Sequence, residues 1–278
     1  MKLSMLKLSA STILLSSTLL ASSATKVENF LENNFRQNPN VQGIVVKVVS
    51  QKPLKELKGW SSLILSVDAT VKIQGIPRHI KQKMVWFSNG KYLTKDLIDL
   101  DTGATLADGV APEFKAEYYS KANLIYGNAN AKHKVAIFSD PLCPFCKRFV
   151  PGAIEEMKKS PDMFAIYYYH LPLKNLHPAA VTLVEAAVAL ELQGKKNVVL
   201  DLYKVNISSR ERDQKKILKA FNKTFGSNIT VADIQKPAVQ EHVKRDAQIA
   251  EDLMVAGTPT MFFDGKVDKT KQKYKEAK

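Results

Sequence analysis

Residues 135–146 read Val135-Ala136-Ile137-Phe138-Ser139-Asp140-Pro141-Leu142-Cys143-Pro144-Phe145-Cys146. The four leading apolar residues read as the middle of a strand from Lys134 to Ser139, and Asp140-Pro141 turns the chain. A helical pattern then runs from Lys147 to Lys159, with Phe149, Ile154 and Met157 on one stripe. The chain's only two cysteines therefore stand at a strand-to-helix junction, Cys143 at the helix start and Cys146 one turn in on the same face.

That placement suits redox chemistry. The thiolate is the reactive form of cysteine, and an ordinary thiol with a pKa of ~8.5 is mostly protonated at neutral pH. Unpaired N–H groups and the positive end of the helix dipole favour the anion at Cys143, which makes it the attacking sulfur. Cys146, expected to be the more buried, would attack the resulting mixed disulfide and release the client. Lys147 and Arg148 add positive charge nearby. A zinc site needs about four ligands, and distant histidines such as His170 and His177 have no recognisable spacing, so the expected metal is none. A structural disulfide over so short a loop would constrain the unfolded chain little, and inert buried thiols fit an oxidising compartment poorly.

Downstream, Phe164 to Leu171 reads as a core strand, and Pro178 to Leu192 as an apolar helix. Segments 198–203 and 213–225 extend a helical insertion at about 175–235. A helix from Val239 to Val255 closes at Gly257, and Thr258-Pro259 leads into the strand Thr260 to Phe263 before a lysine-rich tail, read as a terminal helix. This order resembles the thioredoxin pattern with helices inserted, an α/β fold. Upstream, Pro112 to Tyr126 reads as a helix within a linker at 110–131. Residues 25–109 give a short helix (Val27 to Phe35) and an antiparallel sheet: Val41 to Val49, Trp60 to Gly75, Lys83 to Phe87 and Lys91 to Thr94. Asn89-Gly90 joins the last two, because both residues tolerate positive φ. The catalytic domain is 132–278.

Lys2 and Lys7, the largely apolar run Ala10 to Leu20, and the small residues Ser22-Ser23-Ala24 read as a signal peptide over 1–24, cleaved near Ala24. The run is shorter than the ~20 mostly apolar residues a spanning helix needs, and no cysteine near the cleavage site offers a lipid anchor. The formal charge of +14 falls to +12 without Lys2 and Lys7, and the lysines are spread along helices with acids interleaved in places. They form a solvated surface, so nucleic acid is not an expected partner.

Phe138-Ser139-Asp140-Pro141-Leu142-Cys143-Pro144-Phe145-Cys146-Lys147 and Gly257-Thr258-Pro259-Thr260 resemble the periplasmic disulfide isomerases of the DsbC and DsbG type. Met84 to Gly103 is similar, more loosely, to that family's dimerisation domain. The resemblance implies a periplasmic homodimer joined through residues 25–109, with Cys143 and Cys146 as its redox-active disulfide and no other cofactor. It also implies a cis Thr258-Pro259 bond beside the pair, with Thr258 touching an extended client by strand addition. Pro144 and Phe145 would tune the thiolate. Where thioredoxins and the DsbA oxidases carry a buried acid, six residues before the first cysteine, this chain has Ile137, and Phe145 stands where those oxidases have histidine. Clients would be unfolded or wrongly disulfide-bonded exported proteins, with a membrane reductase of the DsbD kind keeping Cys143 reduced. The alternatives are a dimeric dithiol oxidase recharged by a quinone-linked partner, and a chaperone-like binding module.

Other residues read as structural. His177 reads as an exposed or capping residue rather than a proton shuttle for the thiols, Tyr167-Tyr168-Tyr169 as core packing rather than a stacking platform, Trp60 and Trp86 as packing residues, and Asp140 as a turn residue before Pro141, with an acid near the active site as its second reading.

Overall fold

The computed structural model describes residues 11–73, 75–110, 112–160 and 162–277. These fall into two compact units, Met1–Ala111 and Pro112–Lys278. The first ten residues of the expected signal segment lie outside the described residues. The remainder, 11–24, runs without a break into helix α1 (Ser11–Arg36). No helix among the described residues is long and apolar enough to cross a membrane.

In the first unit, α1 lies on an antiparallel sheet of β1 (Val41–Pro53), β2 (Ser61–Ile73), β3 (Ile76–Ser88) and β4 (Leu93–Thr94), ordered β1-β2-β3-β4. The core is Val27 and Leu31 of the helix against Ile44, Val46, Leu63, Leu65, Val67 and Trp86. On β2 the buried residues Leu63, Leu65, Val67 and Ala69 alternate with less buried ones, as a sheet with one covered face requires. Strand β1 is an edge. Helix carboxylates meet two of its N–H groups: Glu32 Oε1 accepts from Val46 N (2.9 Å) and Glu28 Oε1 from Val48 N (2.8 Å). A short helix α2 (Ala107–Val110) closes the unit.

The second unit opens differently from the sequence expectation. Pro112 to Tyr126 contains no α-helix; a 3-10 turn at Ala116–Tyr118 leads to β5 (Leu124–Tyr126), which pairs antiparallel with β7 (Phe164–His170). The cause is tertiary. Phe114 is buried against Phe138, Tyr169 and Phe262, with ring centroids 5.4 to 6.3 Å apart, and its N–H donates to Gly265 O at 2.7 Å. Helical periodicity placed Phe114, Tyr118 and Leu124 on one face, but the aromatic cluster and the sheet edge outcompete it.

The sheet runs β5-β7-β6-β8-β9, with β6 (His133–Ser139) and β7 (Phe164–His170) parallel. β8 (Thr260–Phe263) is antiparallel to β6, and β9 (Lys266–Val267) antiparallel to β8. Helix α3 (Pro144–Met157) covers one face, over Val135, Ile137, Ile166, Tyr168 and Met261. The opposite face, Ala136, Phe138, Tyr167, Tyr169 and Phe262, packs on Phe114 and on Ile249 and Ala250 of α8 (Pro237–Asp252). Between β7 and α8 lie α4 (Pro178–Leu192), α5 (Val198–Leu202), α6 (Gln214–Phe225) and α7 (Val231–Ile234), packed around a second apolar core. The tail ends in a short helix, α9 (Lys273–Glu276).

Two details lock this unit. Gly127 has φ +79°, and a Cβ there would drive into the Phe164 carbonyl. Asp246 of α8 has no exposed surface, and its carboxylate accepts from Asn123 Nδ2 and His170 N, both at 2.8 Å.

Candidate active site

Strand β6 ends at Ser139 and the chain turns through Asp140 to Cys143, the N-cap of α3. The turn forms because Asp140 Oδ1 accepts from Leu142 N (2.7 Å) while Cys143 N donates to Asp140 O (3.2 Å). Pro144 occupies the first turn of α3, where a missing N–H costs nothing. Cys143 itself is the N-cap of the helix, and no side chain makes a capping hydrogen bond there. Phe145 is 63% exposed, and the Arg148 guanidinium lies 5.3 Å from its ring centre.

The two cysteines are described as thiols. They differ in access: Cys143 keeps 5% of its surface and Cys146 none. Burial pushes the Cys146 thiol up to about 11, although the Ser139 and Thr258 hydroxyls and the Asp140 backbone act in the other direction. Cys146 is therefore a neutral thiol at neutral pH.

The loop before β8 meets the pair from the other side. Thr258-Pro259 is cis, and the Thr258 carbonyl lies 3.7 Å from Cys143 Sγ. The Thr258 hydroxyl is buried without a hydrogen-bond partner of normal geometry, and its polar influence falls on the Cys146 sulfur. Cys143, Cys146, Pro144, Thr258 and Pro259, singled out from sequence, are thus brought together, with Phe145 facing solvent beside them.

Asp140 does more than its sequence reading suggested. It is fully buried, and its Oδ2 accepts from Leu173 N at 2.7 Å and meets His177 Nδ1 at 3.0 Å, so it ties the cysteine turn to the loop before α4. His177, read as an exposed or capping residue, does stand at the N-cap of α4, but its side chain is only 14% exposed and makes no capping bond. Sequence reasoning also missed a line of buried hydroxyls formed by Ser139, Tyr203 and Tyr168. Tyr168 passed as core packing, and no local pattern linked it to Tyr203. Among the described residues no group of His, Cys, Asp and Glu converges as a metal set.

A family model described as Thioredoxin matches residues 119–278. The chain belongs to the thioredoxin family. Among curated proteins it is similar to the Na(+)/H(+) antiporter NhaA 1 of Mycolicibacterium gilvum, 28% identical over 148 residues that make up 51% of this chain and 23% of that one. The protein of the same name from Mycobacterium sp. (strain KMS) is 27% identical over 169 residues, 59% of this chain and 26% of that one. The chain thus matches about a quarter of the length of these relatives. Among solved structures it is similar to Proteus mirabilis ScsC in a compact conformation, 21% identical over 54% of this chain and 73% of that one, with a TM-score of 0.45. A thioredoxin-like oxidoreductase from Silicibacter pomeroyi is 20% identical over 57% of this chain and 93% of that one, also with a TM-score of 0.45. The thioredoxin-like fold with added helices expected from the cysteine junction is the fold of this domain.

Proposed function

We propose that this chain is a periplasmic thiol:disulfide interchange protein of the DsbC and DsbG type, which isomerises or reduces incorrect disulfides in exported proteins. The observation that carries this reading is the contrast between two thiols at one helix start: Cys143 at the mouth beside the Thr258 carbonyl, Cys146 sealed behind it with its thiol pushed up to about 11. In that arrangement Cys143 attacks a client disulfide and holds the client as a mixed disulfide. Its neighbour Cys146 stays protonated until it is needed to release the client. In this reading the Thr258 backbone takes up an extended client segment by strand addition. Dimerisation through residues 25–109 and reduction by a membrane partner of the DsbD kind belong to the same proposal.

The test uses a scrambled client with several disulfides. Cys143→Ala abolishes recovery of its activity, and Cys146→Ala accumulates covalent client complexes. Recovery unchanged in Cys143→Ala would leave only a chaperone-like role. Trapping thiols in intact cells gives direction: a mainly reduced pair supports isomerase or reductase work, and a mainly oxidised pair would make the protein a dithiol oxidase recharged by a quinone-linked partner.

A further inference from the structure

The cluster that encloses Cys146 also holds Tyr168 and Tyr203, which join Ser139 in a chain of buried hydroxyls that the exchange reaction as written above leaves unused, and the Ser139 hydroxyl acts to lower the pKa of the Cys146 thiol. Ser139, the last residue of β6, has no exposed surface, and its Oγ lies 2.6 Å from the Tyr203 hydroxyl. Tyr203 OH lies 2.8 Å from Tyr168 OH on β7. Tyr203 directly follows α5 in the helical insertion, 64 residues from Ser139. Both tyrosines belong to the apolar cluster that encloses Cys143 and Cys146. Ile137, on the same strand as Ser139, adds only an apolar side chain to that cluster.

We propose that Ser139 donates a hydrogen bond to the Cys146 thiolate as it forms, and that Tyr203 and Tyr168 act through Ser139 as positioning residues that hold this donor in line. The inference rests on the thiol:disulfide interchange reading and deepens it. A hydroxyl has one proton to donate. If Ser139 spends it on the sulfur, its own oxygen must accept from Tyr203, and Tyr203 must accept from Tyr168. The 2.6 and 2.8 Å contacts are both short enough for that directed chain. Burial raises the pKa of both tyrosines, so both remain donors throughout the neutral range. In a dry core each donor polarises the next, and a bond to an anion is stronger than one between neutral groups.

The step balances without a further reagent. The Cys146 sulfur gives up its proton and attacks Cys143 Sγ of the mixed disulfide. The Cys143–Cys146 bond forms, the bond to the client sulfur breaks, and the departing client thiolate takes up a proton. The two cysteines are oxidised and the client is reduced.

The test is single-turnover release of a fluorophore–quencher peptide carrying one disulfide, followed across pH. The first phase reports attack by Cys143 and the second reports release by Cys146. Ser139→Ala should slow the second phase about tenfold, the effect of losing one hydrogen bond to a charged group. Tyr203→Phe, which keeps the ring, should slow it about threefold. Both should move the pH midpoint of the second phase upward, and Ser139→Thr should restore it. The first phase and the alkylation rate of Cys143 should stay at parental values, which a general loosening of the site would not allow. Second phases with parental rates and midpoints in both variants would overturn the relay and leave the interchange reading intact. A parent chain without a first phase would overturn the interchange reading itself.

Discussion

Asp140 and His177, 37 residues apart in sequence, meet at 3.0 Å, Oδ2 to Nδ1, immediately beneath the turn that carries Cys143. The same carboxylate takes the N–H groups of Leu142 and Leu173, so one buried side chain pins the cysteine turn and the loop before α4 together.

Asp140→Ala strips three donors of the one fully buried acceptor they share, at a cost of about 3 kcal/mol. Urea denaturation should show that loss, and the turn should slacken enough to lower the exchange rate of Cys143. Asp140→Asn, which keeps a carbonyl oxygen, should lose roughly half as much.

Cys146 predicts a pH dependence of stability. Its thiol titrates near 9.0 when free and is pushed up to about 11 in the fold, mainly by burial. Between those values the unfolded chain has released the proton and the folded chain still holds it, so stability falls as pH rises. The slope is at most about 1.4 kcal/mol per pH unit. Below pH 9 the contribution is complete. The difference in unfolding free energy between the parent and Cys146→Ala, measured from pH 8 to 11, should shrink accordingly.

Gly127→Ala should destabilise the second unit by about 2 to 3 kcal/mol, since it requires both a left-handed backbone with a side chain and displacement of the Phe164 carbonyl. Thermal unfolding followed by tyrosine fluorescence or circular dichroism checks it, and the lowered midpoint should not be rescued by any residue larger than glycine.

Glu28 and Glu32 occupy N–H groups of the edge strand β1. Glu28→Ala with Glu32→Ala should cost about 2 kcal/mol in total and expose Val46 N and Val48 N as a template for pairing with another chain. Light scattering of the double variant should show concentration-dependent self-association beyond that of the parent.

What the sequence made legible was local. The junction from Val135 to Cys146 could be read because strand, turn and helix start lie within a dozen residues and each uses its own chemistry. Strand β7 could be read from its unbroken apolar and aromatic run. Strand β3 was seen only from Lys83, because Ile76 to Gln82 is largely exposed and gives no alternation to detect, although it pairs along its length with β2. The segment 112–126 was misread because its conformation is decided by Phe138, Tyr169, Phe262 and β7, all remote in sequence. At the site, the two cysteines and Thr258-Pro259 were legible as motifs. Ser139, Tyr203 and the Asp140–His177 pair were not, since their roles arise only when the insertion folds back over the helix start.

The exposed Phe145 ring, two residues from a sulfur that keeps 5% of its surface, has a kinetic meaning. A polypeptide reaching for that sulfur must first lie across a benzyl face flanked by a guanidinium. Under the proposed interchange role, an unfolded client would offer that face an apolar segment to settle on before reacting, and a tightly packed protein would not.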